Sequence, residues 1–452
     1  MSHIRDMTRG RPAVLIFAFA MPLMFGNIFQ QMYTMVDTLV VGRFVGLSAL
    51  AALGAADWIF WLILSSVIGY THGFSILISQ HYGGGRPDLL RRSVTMSILL
   101  SMVIAVVVTA ISLPLVRPVL RLLNTPAEII DGSARYLHII LSGIVVMTAY
   151  NMLSAILRAL GDSRTPLVAM IIAALLNITL DLVFVLWLEW GITGVAVATL
   201  IAQVVAASFC FYAVSQIPEL QAVPEEWRPD RHIMKQLLKL GSPLALQNII
   251  IAVGGMVVQS VINTFGVVFV AGYTATMKLY GLLELAATAY GFGMSTYTGQ
   301  NLGARNFERI HKGLRAALVM AILTAIIISV LILMFGSSLL SLFISGEPAE
   351  TAEAIEIASH YLRIMGIWLF ILYALHIYRS ALQGMGDTVV PMISGFIELV
   401  MRISIVLFLP LLIGRRGVYY AEVGAWAGAA VILIITYYHR LHRLEQTSQT
   451  RL

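Results

Sequence analysis

Pro22 to Asp37 reads PLMFGNIFQQMYTMVD and lies inside an apolar run from about Ala13 to Val41. A helix over that run is long enough to span a bilayer. A charge at the centre of such a helix costs about 2.5 to 3.5 kcal/mol on insertion scales, so Asp37 needs a partner, a solvating group or a job. Pro22 leaves a carbonyl of the previous turn without its usual donor, which predicts a bend. The stretch reads as a kinkable membrane helix carrying an acid near its far end. The rest of the chain is equally apolar. It is 59% hydrophobic and 12% charged, with mean hydropathy +0.87, where a soluble domain carries about 25% charged residues.

Successive apolar windows predict an all-α polytopic membrane protein with twelve transmembrane helices. The spans fall at 13–41, 50–79, 93–116, 133–157, 165–188, 192–215, 241–264, 272–301, 314–336, 353–381, 389–412 and 418–438. The first run is too long for a signal peptide and reads as a retained span. Most of the 29 Lys and Arg fall in the two tails and in the loops on their side, while the opposite loops hold Arg43, Arg117, Arg121, Arg135, Arg415 and Arg416. The positive-inside rule then places both termini in the cytoplasm of a cell whose inner or plasma membrane holds the chain. That topology accounts for the net charge of +6, so no nucleic-acid partner is expected. The lone Cys210 excludes an intramolecular disulfide and a cysteine metal site.

The chain repeats itself at a shift of about 220 to 225 residues. Pro22, Leu23 and Asn27 return as Pro243, Leu244 and Asn248, and GFSILISQHYG from Gly73 returns as GMSTYTGQNLG from Gly293. Arg158-Ala-Leu-Gly161-Asp162-x-x-x-Pro166 returns as Gln383-Gly-Met-Gly386-Asp387-x-x-x-Pro391. In these short loops the glycine permits a tight turn and the proline opens the next helix. Six spans per half make the repeat parallel, with its pseudo-two-fold axis along the membrane normal. The expected domains are a six-helix bundle over 1–216, a cytoplasmic linker over 217–240 with three prolines, and a second six-helix bundle over 241–452.

Intramembrane polar groups single out the first half. Asp37 in span 1, Asp181 in span 5 and Thr199 in span 6 lie at similar depth in the outer half of the membrane. Tyr33 is one turn before Asp37, and Asn177 one turn before Asp181. Two acids, an amide, a hydroxyl and a phenol suit Na⁺, and two close carboxylates equally suit a shared proton. In the second half Val258 and Val406 stand at the positions of Asp37 and Asp181. That half instead has Lys278 and Glu284, which are candidates to line a substrate cleft. It also has Glu398 and Arg402 at the spacing of an intrahelical ion pair. Met32 and Met256 join the cleft candidates, because flexible, polarisable methionine suits varied ligands. His72 and His376 read as hydrogen-bonded packing residues. No His-Glu-x-x-His, Gly-x-Ser-x-Gly or phosphate-cradling Gly-Lys motif occurs, which argues against an enzyme and against an ATP-driven pump.

Three features together resemble the multidrug and toxic compound extrusion (MATE) family across all twelve spans. They are the Val36-Asp-Thr-x-x-Val-Gly42 core within Pro22 to Gly46, with the two Gly-Asp-x-x-x-Pro loops; Asn177-x-x-x-Asp181; and the Gly194-Val-Ala-Val-Ala-Thr199 start of span 6. The resemblance implies a V-shaped pair of six-helix bundles, a monomer without a cofactor, exporting drugs and organic cations against H⁺ or Na⁺ entry by alternating access. It implies a first-bundle cation site at Tyr33, Asp37, Tyr136, Asn151, Asn177, Asp181 and Thr199, with Na⁺, if that is the ion, at Asp37, Asn177, Asp181 and Thr199. It also implies that span 1 bends at Pro22, the gating position, when its acid is protonated. Pro243 to Val258 and Leu369 to Arg379 hold no carboxylate, which places the chain nearer the branch coupled through its first bundle. The alternative function is a lipid-linked oligosaccharide flippase of the same superfamily. Its cavity needs basic groups for pyrophosphate, and the membrane interior offers only Lys278, Arg363 and Arg402, which counts against it. A non-transporting receptor is the third reading, and the acid cluster in a two-bundle frame argues against it.

Overall fold

Long apolar windows with few breakers become long helices. The computed structural model describes residues 4–341, 344 and 348–449, and nearly all of them are helical. In chain order the helices are α1 (Pro12–Val40), α2 (Leu47–Gly83), α3 (Pro87–Leu122), α4 (Ala127–Ser142), α5 (Ile144–Ala159), α6 (Arg164–Leu182), α7 (Gly191–Ser215), α8 (Arg231–Ile262), α9 (Val267–Gly303), α10 (Phe307–Leu340), α11 (Pro348–Ile367), α12 (Leu369–Gly384), α13 (Val389–Ile413) and α14 (Ala421–Gln449). Among the described residues, eight stretches are long and apolar enough to cross a membrane, or ten if each of two bent pairs is one span. The last of the eight, Val389–Arg443, contains both α13 and α14. The more polar α9 matches α2 in length and repeat position. Counting these separately gives the twelve expected segments.

Two spans are bent. Α4 and α5 meet at 47° around Gly143, and α11 and α12 at 51° around Trp368. Hydropathy runs straight through both breaks. In contrast, α1 continues as one helix through Pro22, where a bend is expected from the sequence.

The Gly-Asp-x-x-x-Pro loops start helices. Gly161 and Gly386 sit at φ +92° and +82°, in the left-handed region open to glycine. Asp162 Oδ1 accepts from the backbone N–H of Arg164 (2.9 Å) and Thr165 (3.0 Å), filling donors that the first turn of α6 leaves open. Asp387 Oδ1 accepts from Val390 N–H at the start of α13 (3.3 Å). Asp162→Ala is therefore expected to cost about 1 kcal/mol, read as a lower midpoint in thermal unfolding of the purified protein.

Contacts divide the chain into two compact units. One comprises Met1–Asp6 and Met21–Asn248, the other Met7–Ala20 and Ile249–Leu452. Each repeat's first helix thus begins in one unit and ends in the other, and the changeover lies beside Pro22 in α1 and six residues after the equivalent Pro243 in α8. Within the first unit, a side chain at Gly69 or Gly73 of α2 would run into the α8 backbone at Ala245 or Gly241. Asn248 Nδ2 also donates to Ser65 O (2.9 Å). Within the second unit, Gly293 of α9 lies against Ile16 and Phe19 of α1. Small residues at such crossings let backbones approach where lipid offers no hydrophobic drive.

Residues 217–240 are a linker only in part, since α8 begins at Arg231. The rest forms short 3₁₀ turns anchored on α3. Arg91 pairs with Glu226 (2.8 Å), and Thr95 Oγ1 donates to Glu226 O (2.9 Å). Asp230 caps α8 by accepting from the N–H of Ile233 and of His232. These bonds hold its carboxyl below the usual carboxylate range.

Candidate functional site

The first unit places its polar groups between two apolar clusters. Tyr33 packs against the cluster containing Phe74 and Tyr150, while Val36 packs against the one containing Leu53 and Tyr136. Asp37 and Asp181 therefore lie in a poorly solvating setting, with Asp181 fully buried and Asn177 nearly so (0% and 2% exposed). Their helices are shaped at this point. Α1 gives way to a π-helical turn at Val41–Val45, just after Asp37, and α6 to another at Val183–Trp187, just after Asp181. The two turns pack against each other and against α7. A π turn disrupts the regular hydrogen-bond ladder and is frequent at functional positions.

The carboxyl groups of Asp37 and Asp181 come within hydrogen-bonding range of each other. Neither Asp181 oxygen, nor Oδ1 of Asp37, nor Oδ1 of Asn177 has a donor among the described residues. Asn177 Nδ2 reaches Thr199 Oγ1 at 3.5 Å, and the Thr199 hydroxyl donates to Val195 O (3.0 Å). Tyr33 lies within electrostatic reach of both acids, as does the buried Tyr136. Buried acceptors without donors are costly. Four in one place, all oxygen, fit a bound cation or a proton, and oxygen ligands suit Na⁺.

Six of the seven expected residues are thus brought together. Asn151 is the exception in contact, since its amide is spent on Met147 O of its own helix (2.8 Å). Asp57 of α2, an electrostatic neighbour of Tyr136, is not among the residues expected from the sequence. Its signal is an acid within the 50–79 window.

The second unit corrects one expectation. Glu398 and Arg402 do not pair along α13. Arg379 of α12 donates to Glu398 and to Ser394 Oγ (3.1 Å), and Arg402 donates to Glu422 of α14 (2.8 Å). All four charged side chains are less than a tenth exposed. Burial rewards partners fixed by neighbouring helices over a flexible pair on one helix. Arg379 and Glu422 both lie within expected spans, at 353–381 and 418–438. Val258 and Val406 are buried at the positions of the first unit's acids. Lys278 and Met32 are exposed, and Met256 is half-buried. Glu284 faces His376 at 3.5 Å. No cluster of three or more His, Cys, Asp or Glu suited to a metal occurs among the described residues.

The MatE family pattern matches residues 22–183 and 243–408, one match in each half and together most of the chain. The chain belongs to the MatE family. MatE chains are multi-pass membrane transporters, not enzymes. A relative from Bacillus subtilis, "Probable multidrug resistance protein YpnP", is 30% identical over 369 residues, covering 81% of this chain and 80% of its own. "Probable multidrug resistance protein NorM" of Thermotoga maritima is 27% identical over 428 residues, covering 93% and 89%. The fold of this MatE chain also matches a solved transporter from Pyrococcus furiosus at TM-score 0.92 and 24% identity, covering 97% of this chain and 98% of that one. That structure is described as "Reverse polarity of binding pocket suggests different function of a MOP superfamily transporter". A "MATE in the straight conformation" matches at TM-score 0.90 and 25% identity, covering 98% of each chain.

Proposed function

We propose that this MatE chain is a secondary active multidrug exporter. It moves organic, cationic amphipathic compounds out of the cell against H⁺ or Na⁺ entry, by alternating access. The observation that carries the coupling site is the set of donor-free buried oxygens on Asp37, Asn177 and Asp181. Two carboxyls this close in a poorly solvated site hold a proton or a cation between them. Occupancy from outside changes the charge at the end of α1, and the conformation that binds drug weakly is favoured. Such coupling is a difference in affinity between two conformations, and ion and drug affect each other by the same factor. Membership of the family supports the exporter reading, as do relatives named for multidrug resistance.

The flippase reading loses ground to the second unit's ion pairs. Arg379 and Arg402, the buried basic groups there, are committed to Glu398 and Glu422. Neither is free to hold a pyrophosphate.

Flux of a fluorescent organic cation in proteoliposomes, under an H⁺ gradient and a Na⁺ gradient applied separately, tests the coupling. One gradient is expected to accelerate efflux by about 5-fold to 150-fold. Equal flux with either gradient and with none would overturn the antiport reading.

A further inference from the structure

Α9, α12, α13 and α14 carry a connected set of charges inside the second unit. The carboxylates are Glu284, Glu398 and Glu422, and the permanent cations are Arg379 and Arg402. Glu398 and Glu422 each have an arginine, which leaves Glu284 with no guanidinium of its own. Its partner is His376, with Nε2 at 3.5 Å from Glu284 Oε1.

The other ring nitrogen decides what that contact requires. His376 Nδ1 lies 3.0 Å from the backbone carbonyl of Leu372. A carbonyl only accepts, so Nδ1 carries the N–H. In the neutral ring Nε2 then presents a lone pair, and it faces a carboxylate oxygen that also presents a lone pair. The contact becomes complementary when one proton sits between the two atoms. That same proton brings three carboxylates and two arginines to neutrality.

The surroundings are consistent with a group built to exchange a proton. Glu284 is 37% exposed and His376 is 15% exposed at the side chain, so the pair is reachable, whereas the two arginine pairs are sealed. The charged and titratable groups facing it are Tyr280 on α9, Tyr373 and Arg379 on α12, Arg402 on α13, and Glu422 on α14, with Glu398 behind them on Arg379. Tyr373 is already engaged, donating to Leu283 O (2.8 Å). On α10, Thr324 is held by Tyr290 (3.2 Å), and on α11 Tyr361 is buried. The backbones pack tightly here, since a side chain at Gly291 of α9 would meet Ser380 Oγ of α12 at 2.8 Å.

We propose that Glu284 and His376 form a proton-binding site in the second unit, holding one proton between Glu284 Oε1 and His376 Nε2. It is separate from the Asp37–Asp181 pair and binds its proton whichever ion that pair takes.

Proton uptake by the full-length protein in lipid nanodiscs, between about pH 8 and about pH 5, tests the site. Glu284→Gln and His376→Gln each supply a permanent amide donor to the contact, so both variants are expected to fold and to melt as the parent does. Each is expected to take up about one proton fewer per chain, and the double variant no fewer than either single one, because the proton is shared. Uptake equal to the parent's in either single variant would overturn the proposal. So would losses that add in the double variant, since the two groups would then titrate independently. The measurement counts bound protons and requires no transport, so it stands whether or not the exporter is proton-driven.

Discussion

Asp37→Asn is expected to leave a folded protein that no longer couples drug efflux to an ion gradient. The amide keeps the size of the carboxyl and can donate to Asp181, whose oxygens otherwise have no donor. The pair then cannot change charge by one when an ion arrives from outside. Gradient-driven efflux of an organic cation from proteoliposomes should fall by about 100-fold, near the upper end of measured site-to-site couplings. Drug binding to the purified variant should persist, because the change removes the ion's leverage and not the fold. Asp181→Asn should behave alike, since both acids hold the same ion. Efflux of Asp37→Asn at the parent's gradient-dependent rate would show that the acid pair is not the coupling site.

The second large effect concerns stability. Arg379→Met leaves Glu398 buried without the guanidinium that hydrogen-bonds to it, in a side chain only 6% exposed, while Arg402 stays committed to Glu422. Breaking a buried pair from one side costs about 3 to 5 kcal/mol, mostly from the stranded charge. Thermal unfolding in detergent should show a sharply lower midpoint, or the variant should fail to accumulate. Adding Glu398→Leu should restore much of the loss, because an apolar pair of similar volume has no charge to desolvate. A single variant that melts with the parent would mean that Glu398 finds solvent or another donor.

Both effects bear on how far the sequence could be read. Span positions were legible because hydropathy follows from composition alone, and the parallel repeat was legible from its glycines and its Gly-Asp-x-x-x-Pro loops. The proximity of Asp37 and Asp181 was legible too, since depth along a helix follows from residue count and direction of travel. The breaks at Gly143 and Trp368 were not, because both lie inside continuous apolar windows whose hydropathy is unchanged by a bend. Nor were the partners of Glu398 and Arg402. Spacing of four suggests a pair on one helix, and only the neighbours on α12 and α14 show that burial favours Arg379 and Glu422. Asp57 and Glu422 were overlooked because each lies near the start of its span, where acids are common and cheap. The π turns after Asp37 and Asp181 have no signature in residue type at all.

The passage of α1 and α8 from one unit to the other bears on how the protein is made. A ribosome that has released residues 1–216 has produced every span of the first repeat, yet not the α8 segment against which Gly69 and Gly73 lie. The first repeat must therefore wait in the bilayer with an unfilled glycine-lined seam until its counterpart begins to emerge. Cutting the gene within the linker would not yield two self-sufficient halves, because each fragment would lack a stretch of helix that completes its bundle.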